Sequence, residues 1–196
     1  MVHAPEAEKK AVIEGWATKR TLIGANEFVI VGPKNDPANI KEATSAVDAY
    51  KRIAAKKAIF LSRGDNSGTH KREMKIWKLA GIKPGGSWYV VTHDFMMATL
   101  KKANELKGYF MVDSSTWIVE KKQMNNLTVL FRGDPILINV YHALCRADNC
   151  DPDSFAYKFI EFLASEKGQE IIRTYGQKEF GSSLYLEARE AQKFEK

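Results

Sequence analysis

Short apolar runs alternate with helical stretches along most of this chain, and that alternation restricts its fold more than any other feature. Residues 28–31 (FVIV) read as a strand closed by Gly32 and Pro33. Residues 46–57 then put Val47, Tyr50, Ile53 and Ala54 on one helical face. A second strand at 59–61 runs into a glycine-containing turn. The following helix places Ile76, Leu79 and Ala80 on one face with Met74 and Trp77 beside them, and ends at Gly81. Strands at 88–91, 109–112 and 117–119 and a helix at 94–106 continue the pattern. Strands at 127–131 and 136–144 come next, and helices near 154–164 and 166–175 close it. Strand–helix alternation of this kind predicts an α/β fold with a largely parallel sheet.

The chain has 196 residues, enough for one sizeable domain or two small lobes that fold without metals or disulfides. No apolar run is long enough to cross a membrane. The start, MVHAPEAEKK, has no apolar stretch after a basic beginning and so does not read as a signal peptide, although a mature form would lack one as well. The net charge of +6 is unevenly placed. Between Pro33 and Asn139 there are 18 Lys and Arg against 10 Asp and Glu, so this stretch would draw anions, while the flanks are slightly acidic. No arginine stripe with interleaved aromatics accompanies the charge, which argues against a nucleic-acid partner. A solvated lysine surface accounts for most of the individual lysines. Gly32-Pro33 and Gly133-Asp134-Pro135 read as crossings between two lobes. One lobe would comprise 1–32 and 140–196, and a basic second lobe would comprise 33–139.

The segment LSRGDNSGTHKRE, residues 61–73, carries the best chemistry. A strand ends, Gly64 and Gly68 form a turn, and a helix begins near Ser67–Thr69. The free N–H groups at a helix start are donors aligned with the positive end of its dipole. Glycine allows close approach, Ser67 and Thr69 add hydroxyls, and Arg63 adds a planar, permanently charged fork. A tetrahedral anion needs this combination. The same residues also fit an ordinary strand–turn–helix in which Ser and Asp act as caps and Arg63 pairs with Asp65. His70 has no nucleophile and supporting carboxylate around it, and His3, His93 and His142 are scattered singly. The reading is therefore a non-enzyme with no metal and no cofactor. Cys145 and Cys150 are spaced for a short loop disulfide, with two unpaired thiols as the alternative.

The whole chain resembles the tungstate-binding, periplasmic-type solute-binding proteins of ABC importers. The resemblance runs through VHAPEAEKK…EGW, NEFVIVGPKNDPA, FLSRGDNSGTHKRE, ATLKKANE, GDPILIN and FIEFLASEKGQEIIRTYG, and covers residues 2 to 187. It implies a two-lobed type II periplasmic-binding-protein fold joined by two hinge strands, with ligand held between the lobes. It also implies a periplasmic or cell-surface location, a membrane permease as partner, and tungstate, molybdate or another oxyanion as ligand. Carried onto this chain, the family's ligand residues fall on Arg63, Ser62, Ser67, Gly68 and Thr69, with Ser115 and Thr116 as further donors. Three departures from the family pattern accompany the match. The family has some tens of residues before the VHAP-like segment, so one lobe is expected to be incomplete. A glycine-rich strand-to-helix junction is replaced by Thr92-His93-Asp94-Phe95-Met96-Met97, where Asp94 reads as a helix N-cap. The family's Thr-Asp-Arg-Gly-Thr appears here as Val112-Asp113-Ser114-Ser115-Thr116, without the arginine. The alternative reading is a diverged module that pairs with a partner protein or with itself, as a homo-oligomer, and binds no anion.

Overall fold

A computed structural model describes residues 2–195. It divides into two compact units. One is formed by the residues up to Asn26 together with those from Ile138 onward, and the other is the continuous stretch Glu27–Leu137. The division differs by a few residues from the expected crossings. Strand β1 (Ala17–Pro33) runs unbroken through Glu27, so the first crossing lies inside a strand and not at its closing turn.

In the Glu27–Leu137 unit the chain runs from β1 through α2 (Ala46–Ala55), β2 (Phe60–Ser62), α3 (Gly68–Leu79), β3 (Tyr89–Val91) and α4 (Met96–Leu106). It continues through β4 (Phe110–Asp113) and α5 (Ser114–Glu120) to β5 (Leu127–Phe131). Strand β1 lies between β4 and β5, antiparallel to both, with Phe28 opposite Asp113 and Pro33 opposite Leu127. Strands β2 and β3 pair in parallel, and a parallel bridge from Phe60 to Tyr109 joins β2 to the start of β4. The sheet is therefore mixed. The expectation of a largely parallel sheet fails because apolar runs show that a strand is buried but not which way its partner runs.

The sheet is covered on both faces, which explains the unbroken apolar strands. Phe28 and Ile30 of β1 point to one side, where Tyr50 and Ile53 of α2 and Ile76 and Trp77 of α3 close the core. Val29 and Val31 point to the other, against Leu100 and Ala103 of α4. On the first side the Tyr50 and Trp77 rings lie 4.4 Å apart, and Phe60 meets Trp77 edge-on at 5.2 Å. Side chains of this size contribute roughly 1.5–3 kcal/mol each when fully buried.

Three local expectations are corrected. Residues 117–119 are helical, because the Asp113 carboxylate accepts from the Ser115 and Thr116 amides and starts α5. The cap of α4 is Phe95, not Asp94, whose carboxylate accepts from the adjacent Phe95 amide. The buried stripe of α3 is Thr69, Glu73, Ile76 and Trp77, whereas Met74 and Leu79 are exposed. The true stripe contains a carboxylate, so it is invisible to a search for apolar periodicity.

The other unit contains α1 (Pro5–Ile13), the first half of β1, and β6 (Ile138–Arg146). It ends in α6 (Phe155–Ala164), α7 (Glu166–Thr174), α8 (Gln177–Phe180), β7 (Leu186–Glu187) and α9 (Ala188–Ala191). Both β6 and β7 pair with β1. Serine caps start the helices α6 and α7: Ser154 accepts from the Tyr157 amide and Ser165 from the Gly168 amide. Cys145 and Cys150 form a disulfide. His142, fully buried on β6, lies between Glu8 at 2.9 Å and Glu195 at 3.0 Å. Arg20 bonds the same two carboxylates at 3.1 and 2.7 Å.

Candidate functional site

Because β2, β3 and β4 run in one direction, the loops after them emerge on the same edge of the sheet of the Glu27–Leu137 unit. In open α/β sheets this carboxyl edge is where ligands bind. It carries the 63–67 loop and the start of α3, the 92–95 loop and the start of α4, and the start of α5. Every residue expected in the site lies on this edge or just beneath it.

The 63–67 loop leaves β2 with Gly64 at φ +63° and Asn66 at φ +57°, and returns into α3 at Gly68. A side chain on Gly64 would strike Val91 at 2.2 Å, so glycine is required there by both φ and space. Ser67 is the N-cap of α3 and accepts from the His70 amide. The Asn66 amide donates to His70 Nδ1 at 3.0 Å, which makes His70 part of the loop's own scaffold.

Arg63 is held in place rather than free. Its guanidinium donates to Asp65 at 2.5 Å and its Nε to the Asp94 carbonyl at 3.4 Å, and only 11% of the side chain is exposed. The Ser67 amide donates to the same Asp65 carboxylate at 3.1 Å. Burial works against ionisation of Asp65. The Ser67 hydroxyl and amide and the Arg63 charge outweigh it and hold the carboxyl below its ordinary range. Three donors of the loop thus converge on one oxygen-bearing anionic group belonging to the chain itself. The pairing of Arg63 with Asp65 is the contact expected of an ordinary strand–turn–helix, and it places the guanidinium beside the Ser67 amide.

The other expected residues divide. Thr69 is buried in the first turn of α3, and Gly68 opens that helix. Ser62 is fully buried, so its side chain lies below the loop and not on its surface. The Ser115 hydroxyl and amide and the Thr116 amide all donate to Asp113, which engages them at the start of α5. In the 92–95 loop the Thr92 hydroxyl donates to the Ser62 carbonyl at 3.2 Å and meets the Thr99 hydroxyl at 2.8 Å, tying the second loop to the first. Among the described residues no group of His, Cys, Asp or Glu is arranged to hold a metal ion.

Sequence reading missed Glu73. It lies one turn beyond Thr69 on the same buried face of α3 and is 2% exposed. Its carboxyl accepts from the Tyr89 hydroxyl at 2.6 Å and the Trp77 indole N–H at 3.2 Å. The Ser62 hydroxyl lies beside it and Tyr89 but completes no well-formed hydrogen bond. Burial pushes the Glu73 carboxyl up to about 7 against the opposing Tyr89, Ser62 and Trp77 contacts, and the Asp65 charge adds to the rise. In sequence Glu73 is an acid in a basic run, which reads as a solvated helix face.

Residues 1–167 match the family model of the PBP superfamily domain. The chain belongs to that superfamily, and its fold is the type II periplasmic-binding-protein fold. It is 35% identical over 191 residues to the tungstate-binding protein TupA of Peptoclostridium acidaminophilum, covering 94% of this chain and 66% of that protein. The chain thus spans just under two thirds of that relative's length. The solved structure of the tungstate-binding protein TupA of Desulfovibrio alaskensis superposes with a TM-score of 0.78 at 39% identity, covering 95% of this chain and 76% of that one. The structure of the tungstate ABC transporter from Geobacter sulfurreducens gives 0.77 at 39%, covering 89% and 75%. These relatives are solute-binding and transport proteins, not enzymes.

Proposed function

We propose that this protein captures a tetrahedral oxyanion, tungstate first and molybdate or a similar anion second, as the binding component of an ABC importer. The observation that carries the reading is the convergence of the Arg63 guanidinium with the Ser67 amide and hydroxyl on the single carboxylate of Asp65. A dianion entering the loop would take over these donors from Asp65. The Gly68 and Thr69 amides would contribute from the start of α3, where the helix dipole favours negative charge. Ser115 and Thr116 would join only by giving up hydrogen bonds to Asp113. Ser62 would act from beneath the loop. Binding by donors alone suits a fully deprotonated oxyanion, which offers no proton to an acceptor. The names of the relatives, tungstate-binding proteins and a tungstate ABC transporter, support tungstate as the ligand and an ABC transporter's membrane permease as partner, and a periplasmic location follows from the family resemblance.

The test is thermal unfolding of wild type and Arg63→Ala with tungstate, molybdate or sulfate. At a ligand concentration about 100 times Kd, wild type should gain roughly 2.7 kcal/mol of stability. Arg63→Ala should lose that gain while keeping its fold. A mutant that keeps the full wild-type shift overturns the assignment of the loop.

A further inference from the structure

Beneath the oxyanion loop, the buried carboxyl of Glu73 adjoins a buried hydroxyl, Ser62, that has no well-formed hydrogen bond of its own. Ser62 immediately precedes Arg63, so any change at Ser62 is passed straight to the loop. Glu73 is enclosed by neutral donors, Tyr89 from β3 and Trp77 from its own helix. The charged and titratable groups that act on it most strongly include Asp65 of the loop and Tyr89 of β3, and its charge is felt in turn by Tyr50 of α2. His70 on α3 and His93 beside Gly64 border the loop above.

We propose that Glu73 is a positioning residue of the anion site and that oxyanion capture is linked to uptake of one proton at its carboxyl. Ionised, the Glu73 carboxylate can only accept, so it draws the Ser62 hydroxyl proton downward, away from the loop. It also sets a negative charge beneath a site that must receive a dianion, in an interior where such repulsion is weakly screened. Protonated, the carboxyl carries no charge and donates its own O–H to Ser62, and the Ser62 proton is released toward the loop. The proton comes from solvent, one per bound anion at most. Burial pushes this carboxyl up to about 7, so ordinary variation in external pH would change its state. The consequence is a binding protein that holds its cargo more firmly as the medium acidifies.

This inference rests on the oxyanion reading, and calorimetric titration of the full chain with sodium tungstate separates the two. Titrations at about pH 6.5 and about pH 8.5, in buffers of different ionisation enthalpy, report both affinity and protons exchanged. Wild type should bind about tenfold more weakly at the higher pH, with net proton uptake on binding. Glu73→Gln, a permanently neutral replacement, should lose most of that dependence and bind at the higher pH about as well as wild type does at the lower. Should Glu73→Gln fail to fold, Glu73→Ala in a Tyr89→Phe background replaces it, and absence of proton uptake by wild type still overturns the role of Glu73. A wild-type affinity independent of pH with no proton uptake, or a Glu73→Gln variant that keeps the full slope, overturns the role of Glu73 and leaves the oxyanion reading standing. Absence of tungstate binding at either pH overturns both.

Discussion

A methyl group added at Gly64 would lie 2.2 Å from Val91 Cγ1, well inside van der Waals contact, on a residue whose φ is +63°. Two separate costs follow for Gly64→Ala. Holding a non-glycine residue in the left-handed region costs about 1–2 kcal/mol. Relieving the overlap requires Val91 or the loop to shift, at about 1–3 kcal/mol. Because Val91 is 39% exposed and can turn partly outward, the lower half of that second range applies, giving a total of about 2–4 kcal/mol. A double-mutant cycle with Val91→Ala separates the terms. Truncating Val91 removes the overlap but leaves the φ strain, so the double mutant should recover about 1–2 kcal/mol while staying less stable than Val91→Ala alone. Urea unfolding of all four proteins gives the cycle. A Gly64→Ala cost under about 0.5 kcal/mol, or no coupling with Val91, would show that the loop does not need this conformation. Under the oxyanion reading, tungstate affinity should fall alongside, because Gly64 directly follows Arg63.

Two further outcomes concern the other unit. Burial opposes ionisation of Glu8 and Glu195, yet hydrogen bonds and charges from His142 and Arg20 hold both carboxyls below the ordinary value of 4.5. Their stabilisation is therefore present near neutral pH and lost as pH falls below 4.5 through the depressed folded values. Arg20→Ala should cost about 3 kcal/mol near neutral pH, with the gap to wild type closing in acid, read by urea titrations across pH. A gap of constant size would rule out this linkage. Replacing Cys145 and Cys150 by serine should cost about 2 kcal/mol, the loop-closure value for so short a ring, and calorimetric melting would show it.

Much of the architecture was legible because burial on both faces leaves its mark in the residues. Phe28–Val31 is apolar throughout since alternate side chains enter different cores, and the serine caps at 154 and 165 mark where helices start. Strand direction was not legible, since it depends on pairing between distant segments. The turn from strand to helix at Asp113 was missed because the decisive signal was one carboxylate reaching two amides, not the β-prone Trp117–Val119 that follow. Arg63, Ser67 and Thr69 could be read together as candidate donors because their chemistry is local to one loop. Glu73 could not, since its significance arises from Tyr89 and Ser62, which only folding brings to it. The one clue available was its place one turn after Thr69, in register with Ile76 and Trp77.

The long strand that serves both units has a bearing on how the chain is made. Glu27–Leu137 is continuous, so everything its sheet requires has been synthesised once residue 137 emerges. The first half of β1 is in the opposite position: its neighbours β6 and β7 come from the last third of the polypeptide, more than a hundred residues later. Until they arrive it is a bare strand awaiting distant partners, the slow and adhesive kind of intermediate that long-range pairing produces. Ribosome stalling or premature termination after residue 137 would therefore leave one finished body trailing an unsatisfied β-edge.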